Sequence, residues 1–204
     1  TAATVAAGVE VDVRQSVDGQ LVLSHDPLLG GFTVADTPWE RLCEVDLTGH
    51  RPALLDQILD LEVPLDLEVK NDPEEPGFDA AHRVGREVAD RARPGDMVTS
   101  FWWPTMDAVR RSHPDVFTAL LAWGPVDPVD AIRHAVDHGH GAVVPEHTQV
   151  NAEVVDLVRS EGLGLITWTV NDFVEATRLA ELGVDAIITD RPGEMIAALT
   201  EDRS

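Results

Sequence analysis

The sequence alternates short strand-like runs with longer helical patterns, and this alternation limits the possible folds more than any other feature. Eight runs rich in β-branched residues begin with VEVDV at residues 9–13 and end with DAIITD at residues 185–190. Amphipathic helical patterns separate most of these runs, which is typical of parallel βαβ units. Gly139, Gly162 and Gly183 each precede the next strand, where a glycine commonly ends a helix.

The fold that this alternation favours is a (β/α)8 TIM barrel, with an open doubly wound sheet as the alternative. A hairpin-like pair of strands comes first, and six strand–helix units follow it. One further strand ahead of the opening TAATVAAG, which resembles the end of a helix, would complete eight. No Gly-x-Gly-x-x-Gly follows any strand, which disfavours the open sheet. We therefore expect one domain over residues 1–204, with the first barrel strand missing from the sequence.

The segment 27–51 interrupts the alternation and predicts an insertion loop. Its Thr37-Pro38-Trp39-Glu40 stretch matches a capping box with proline in the first turn, so a short helix is expected there. Long loops inside a compact domain are usually functional or act as lids. Later in the chain, Asn151 and Asn171 stand where helix N-caps are expected.

Composition excludes several classes of partner. The 204 residues are 44% hydrophobic, as in a globular domain, and 15 Lys+Arg against 37 Asp+Glu give a net charge of −22. This charge argues against binding to nucleic acid or to an anionic membrane surface. The single Cys43 excludes an internal disulfide, and no apolar run is long enough for a transmembrane helix. A cytoplasmic location is the default expectation; secretion and the oligomeric state stay open.

Acidic residues alternate along two of the predicted strands. Glu10, Asp12 and Arg14 share one face of the first strand. Asp66, Glu68 and Lys70 share one face of LDLEVK. An exposed sheet face is the ordinary interpretation of one such strand. Barrel strands, however, are covered by helices outside, so a charged face repeated on two strands points to the barrel interior. The pattern predicts a carboxylate cage for one divalent cation, Mg2+ or Ca2+.

Aromatic residues follow the strand MVTS. Phe101 comes directly after it, with Trp102 and Trp103 next. Because catalytic groups of barrels gather at the carboxyl ends of strands, Phe101 is a candidate to line a pocket for a glycerol or lipid group. The alternative is that these rings only close the top of the barrel.

Four motifs in order along the chain resemble the glycerophosphodiester phosphodiesterase family. They are GVEVDVRQSVDGQLVLSHDPLL, LDLEVK, GLITWTVND and GVDAIITDRP. The resemblance implies a TIM barrel with an insertion that matches 27–51, and metal-dependent hydrolysis of glycerophosphodiesters to glycerol 3-phosphate and an alcohol.

The resemblance also implies a role for each matching site residue. These residues are Glu10, Asp12 and Glu68 as ligands of the cation, His25 as a catalytic acid/base, Lys70 as a phosphate contact and Trp168 as a pocket wall.

One departure from the family pattern leaves two other functions open. The family carries a second catalytic histidine in a His-Arg-Gly motif on its first strand, and the 204 residues contain no such motif. The missing first strand is expected to supply it. If it does not, the chain is a catalytically impaired barrel that binds phosphodiesters. A related phospholipase D-like barrel enzyme that cleaves lipids is the other alternative.

Overall fold

The structure is a computed structural model that describes residues 8–201, with side chains described through Ala197. The helix end predicted for the opening TAATVAAG lies in residues 1–7, outside the described part. The described chain forms two compact units, one from Gly8 to Thr118 and one from Ala119 onward. A single domain over residues 1–204 stays a prediction.

The first unit contains a mostly parallel sheet with the order β6-β5-β1-β2. Strands β1 and β5 are parallel, β5 and β6 are parallel, and β2 returns antiparallel to β1, so the predicted opening hairpin is confirmed. Its elements are β1 (Val9–Gln15), β2 (Leu21–Leu23), β3 (Leu28–Leu29), β4 (Phe32–Thr33), α1 (Trp39–Leu42), β5 (Leu65–Val69), α2 (Arg83–Ala89), β6 (Met97–Ser100) and α3 (Trp103–Ser112).

A buried aspartate fixes the beginning of β5, the strand that carries half of the acidic face. Asp96 is 4% exposed, and its carboxylate accepts a hydrogen bond from Leu65 N at 2.9 Å. Arg93 donates to the same carboxylate from Nε and Nη2, both at 2.9 Å. Burial alone would raise the pKa of Asp96, but the hydrogen bonds from Arg93 and Leu65 outweigh it and lower the pKa below its usual value.

We expect Asp96→Asn to lower the free energy of unfolding by about 2–3 kcal/mol, because hydrogen bonds to a charged group contribute about 1.5–3 kcal/mol. Urea denaturation followed by circular dichroism measures this change. The matched control is Asp56→Asn, which removes an exposed carboxylate paired with Arg91 and should cost less than about 1 kcal/mol. Equal losses for the two variants would contradict the prediction.

The predicted insertion, residues 27–51, contains β3, β4 and α1 and has a small apolar cluster beneath it. Leu29, Val34 and Leu42 are buried in this cluster, which includes Val22 of β2. The short helix is confirmed, but the predicted capping box is wrong.

The N-terminus of α1 is capped from outside the insertion. Its N-cap position is Pro38, and no side chain of the helix's own first turn caps it. Instead the Asp18 carboxylate accepts a hydrogen bond from Trp39 N at 3.0 Å. The Thr37 hydroxyl, which the capping box would have used, donates to Thr33 O at 2.7 Å.

The second unit repeats parallel strand–helix units, with the sheet order β10-β9-β8-β7. Strand β7 (Phe117–Ala122) belongs to this unit from Ala119 onward. The other elements are α4 (Pro128–His138), β8 (Ala142–Pro145), α5 (Ala152–Ser160), β9 (Gly164–Thr167), α6 (Phe173–Leu182), β10 (Ala186–Ile187) and α7 (Pro192–Glu201).

Helix ends in the second unit follow most of the predicted signals. Asn151 caps α5 by accepting from Val154 N at 3.0 Å, as predicted. Asn171 does not cap α6: the N-cap is Asp172, and Asn171 instead bonds to Asp190. Gly139 and Gly183 end α4 and α6 in the left-handed conformation, so these predicted helix ends are confirmed.

No helix among the described residues is long and apolar enough to cross a membrane.

Candidate functional site

Four acidic side chains lie together on one face of the two central strands of the first unit. The parallel register places Glu10 beside Asp66 and Asp12 beside Glu68. Because side chains alternate along a strand, all four point to the same side of the sheet. Oxygen atoms of Glu10, Asp12 and Glu68 lie within 4.8 Å of one another, close enough to share one cation. The structure therefore brings together the three ligands that the sequence predicts.

Lys70 is the positive charge beside this carboxylate group. Its Nζ atom lies 2.9 Å from Asp12 Oδ1 and forms a second ion pair with Glu68. Burial lowers the pKa of Lys70, but the two carboxylates outweigh it, and the pKa is raised. Phe101 also lies here, with its ring centroid 5.7 Å from Lys70 Nζ.

Three of the four carboxyl groups have pKa values above their ordinary range. Burial, followed by repulsion from Asp12 and Glu68, raises the pKa of Glu10 to about 8. Burial also raises the pKa of Asp66 to about 7, although Thr99 donates a hydrogen bond to its Oδ1 at 2.7 Å. Burial raises the pKa of Glu68 as well.

A divalent cation fits this group of side chains. Glu10 Oε1 is buried and has no hydrogen-bond partner among the described residues. Crowded carboxylates with an unpartnered oxygen are stabilised in their charged form when they bind a hard cation, and Mg2+ and Ca2+ both prefer oxygen ligands. Glu10, Asp12 and Glu68 are the residues that would hold it.

The raised pKa values predict that the metal-free protein loses stability as the pH rises. Glu10 and Asp66 bind protons more tightly in the folded chain than at their ordinary pKa values of 4.5 and 3.8. Their contribution is therefore fully present below those values and is lost as the pH rises through about 7 to 8. A cation should reverse the loss, so we expect Mg2+ or Ca2+ to raise Tm more at about pH 8 than at about pH 5.

Thermal unfolding in chelator and in excess cation, at matched ionic strength, tests this prediction. Glu10→Gln is the control, because it removes one buried charge and should flatten the pH dependence of Tm in chelator. A cation-induced rise in Tm that is equal at both pH values would contradict the prediction.

His25 lies in the turn after β2, and its side chain is 74% exposed. Its Nδ1 is 2.9 Å from Asp26 Oδ1. An ionised carboxylate only accepts hydrogen bonds, so Nδ1 carries the proton and Nε2 remains for proton exchange. Burial is the main reason for the raised pKa of Glu68, and positive charge at His25 opposes that rise. His25 is thus within electrostatic reach of a candidate metal ligand.

Trp168 belongs to the second unit and directly follows β9. Its indole Nε1 donates to Val144 O at 3.0 Å, which fixes the ring beside β8. Its carbonyl oxygen accepts a hydrogen bond from His147 N at 3.0 Å. Its role as a pocket wall stays a prediction.

Two further residues lie in the first-unit site, and alternation along the two strands had placed both on its charged faces. Asp66 is the fourth carboxylate of the group, and it lies on the acidic face that alternation along LDLEVK predicts. Arg14 lies two residues beyond Asp12 on the same face and is 6% exposed. Its side chain bonds to His25 O, at a sequence separation of 11 that periodicity does not reveal.

Comparisons with known proteins point to one family. The family model described as the glycerophosphoryl diester phosphodiesterase family matches residues 2–194. A glycerophosphodiester phosphodiesterase of Caldanaerobacter subterraneus subsp. tengcongensis is 26% identical, over 94% of this chain and 85% of its own length.

Solved structures share the fold and confirm the predicted α/β barrel class. A glycerophosphodiester phosphodiesterase from Parabacteroides distasonis has a TM-score of 0.82 at 21% identity, covering 97% of this chain and 85% of that one. An Oleispira antarctica phosphodiesterase, solved with the product sn-glycerol-3-phosphate, has a TM-score of 0.79 at 16% identity, covering 98% and 87%.

Proposed function

The chain belongs to the glycerophosphoryl diester phosphodiesterase family, and we propose that it hydrolyses small glycerophosphodiesters to glycerol 3-phosphate and an alcohol. The observation that carries this proposal is the convergence of Glu10, Asp12 and Glu68 within 4.8 Å, with Lys70 beside them. Glu10, Asp12 and Glu68 would hold the cation, Mg2+ or Ca2+, which would supply Lewis-acid stabilisation of charge on the phosphoryl oxygens and help to orient the nucleophile.

Lys70 and Phe101 give the site a cationic and an apolar wall. The Lys70 ammonium is a compact point charge of the kind that binds phosphate oxygens. It is held near the carboxylates by Asp12 and Glu68, so a phosphate that contacts Lys70 also lies close to the cation ligands. Phe101, half-buried at 5.7 Å from Nζ, offers a face for the carbon atoms of the glycerol group.

His25 is the proposed acid/base. Hydrolysis of a phosphodiester requires a proton on the departing alkoxide, and a histidine with one ring nitrogen available transfers protons at neutral pH. The Asp26 carboxylate favours the tautomer that carries the proton on Nδ1, because Nδ1 lies 2.9 Å from Asp26 Oδ1. Nε2 is therefore the atom that exchanges a proton with the substrate.

An activity assay on the full encoded protein tests this function. The 204 residues contain no His-Arg-Gly motif for a second catalytic histidine, so the full protein is the appropriate sample. With glycerophosphocholine as the probe, we expect glycerol 3-phosphate to form in Mg2+ or Ca2+, to stop forming in excess chelator and to form again when the cation is restored.

Phosphorus NMR of the products separates this function from the two alternatives. A cyclic phosphate in place of the monoester would identify a phospholipase D-like, lipid-cleaving reaction. Cation binding without turnover would identify a non-catalytic barrel that binds phosphodiesters.

A further inference from the structure

The main chain at His25 is held by the side chain of Arg14. Arg14 Nε and Nη2 both donate to His25 O, at 3.0 Å and 2.6 Å, and Arg14 is 6% exposed. We propose that Arg14 is a positioning residue that sets the location of the His25 imidazole, and that Glu75 holds Arg14 in place. This inference rests on the proposed function, in which His25 transfers a proton.

The position of the His25 ring depends on the main chain more than on the ring's own contacts. The side chain is 74% exposed, and the ring partner that the structure gives is the adjacent Asp26. A ring with so few neighbours is located by the backbone that carries it. In the same turn Ser24 N donates to Asp12 O at 3.0 Å, so the turn is attached to β1 at two points, Asp12 and Arg14.

These two attachments link the acid/base to the metal ligands. Asp12 is a candidate ligand, and Arg14 follows it on the same face of β1. The distance between the His25 ring and the cation ligands is therefore set by one strand and two hydrogen-bonding groups. A shift of about 1 Å in a catalytic group can cost about 100-fold in rate.

Glu75 compensates the buried charge of Arg14 and orients its side chain. Glu75 Oε2 lies 2.7 Å from Arg14 Nη1, and Glu75 N donates to Asp72 O at 3.1 Å in the turn after β5. Three of the five N–H groups of the guanidinium are used in this way, two on one carbonyl oxygen and one on a carboxylate. A planar guanidinium makes all three bonds at once, whereas the single ammonium of lysine does not reproduce this geometry.

A different role for Arg14 would be direct contact with the substrate phosphate. Arg14 and Lys70 both line a shallow cleft beside Pro27 and Gly77. The observed hydrogen bonds favour positioning, because Nε, Nη1 and Nη2 all point at protein partners. The two roles predict different kinetics: loss of a phosphate contact raises KM whether or not His25 is present, whereas loss of positioning lowers kcat through His25.

A double-mutant cycle on the full encoded protein tests the inference. Arg14→Lys, His25→Ala and the double variant are compared for kcat and KM with glycerophosphocholine. We expect Arg14→Lys alone to lower kcat by about 10- to 100-fold with little change in KM. In the His25→Ala background, the same substitution should lower kcat by less than about twofold, because residues that act as one unit are not additive.

Arg83→Lys is the matched control, since Arg83 is 70% exposed and should tolerate the substitution with unchanged kinetics. Tm and cation binding are measured for every variant. If Arg14→Lys does not fold, Glu75→Gln replaces it in the cycle; it should lower kcat by about 3- to 10-fold, again only when His25 is present.

Three outcomes would overturn the inference. Additive losses in the double variant would show that Arg14 acts independently of His25, and a raised KM with unchanged kcat would make it a phosphate contact. Full activity in a folded Arg14→Lys protein would also contradict positioning. A His25→Ala protein with normal kcat would instead refute the acid/base role in the proposed function itself, and positioning with it.

Discussion

The Glu68→Gln protein is expected to hydrolyse glycerophosphocholine about 1,000-fold more slowly than the parent, because a bound cation contributes several kcal/mol to catalysis and each 1.4 kcal/mol is a factor of ten. Glu68 is 7% exposed, and glutamine keeps its shape while removing the charge that we propose binds the cation. The cation dissociation constant should rise in parallel. Steady-state kinetics and calorimetric titration with Mg2+ and Ca2+ measure the two quantities.

Glu62→Gln is the control for Glu68→Gln. Glu62 is exposed and lies shortly before β5, so its replacement should leave both kcat and cation affinity unchanged. Glu68→Gln should not lower Tm in chelator, because it removes a carboxyl group whose pKa is raised by burial, while Lys70 keeps its ion pair with Asp12. Normal cation affinity in a folded Glu68→Gln protein would remove Glu68 from the ligand set.

The second large effect is expected for His25→Ala, which should lower kcat by about 100- to 10,000-fold, as loss of a general acid or base does. The His25 side chain is 74% exposed, and its hydrogen-bond partner among the described residues is the adjacent Asp26. The fold and the cation affinity should therefore not change. Kinetics with glycerophosphocholine, together with Tm and cation titration, measure all three expectations.

The leaving group distinguishes protonation of the departing alcohol from other roles of His25. A p-nitrophenyl ester of glycerol 3-phosphate releases a phenolate that leaves readily without a proton, whereas choline leaves as a poor alkoxide. We therefore expect His25→Ala to lose much less activity with the p-nitrophenyl ester. Equal losses with both substrates would show that His25 acts elsewhere in the reaction, and no loss with either would exclude it from catalysis.

Periodicity along the chain predicted the strands and the acidic face correctly. Side chains alternate with a period of two, so Glu10 and Asp12 had to share a face, and so did Asp66 and Glu68. That the two faces lie side by side follows from the parallel register of β1 and β5, which the structure supplies. Strand–helix alternation predicts only that the strands are parallel. Side-chain alternation depends only on neighbouring residues, and the parallel arrangement of strands follows from the handedness of βαβ units.

Helix ends were predicted less reliably, because capping groups need not come from the helix that they cap. Asn151 caps α5 from its own N-cap position, and the prediction there is confirmed. The Asp18 carboxylate caps α1 from 21 residues away, and the local Thr37 signal gave the wrong cap. At α6 the expected cap was Asn171, but the adjacent Asp172 is the N-cap and accepts a hydrogen bond from Glu175 N.

The sequence by itself determined the fold class and the shared face of the acidic residues, since both depend on residue type and short-range periodicity. The roles predicted for the cation ligands and for His25 come from the family resemblance and stay predictions. The tertiary structure decided which carboxylates are buried and what holds the histidine in place. Burial raises the pKa of Glu10 and Asp66 far above their ordinary values. Arg14 joins His25 at a separation of 11 residues and Glu75 at 61. Such contacts and burial arise only when distant segments pack together, so no local pattern encodes them.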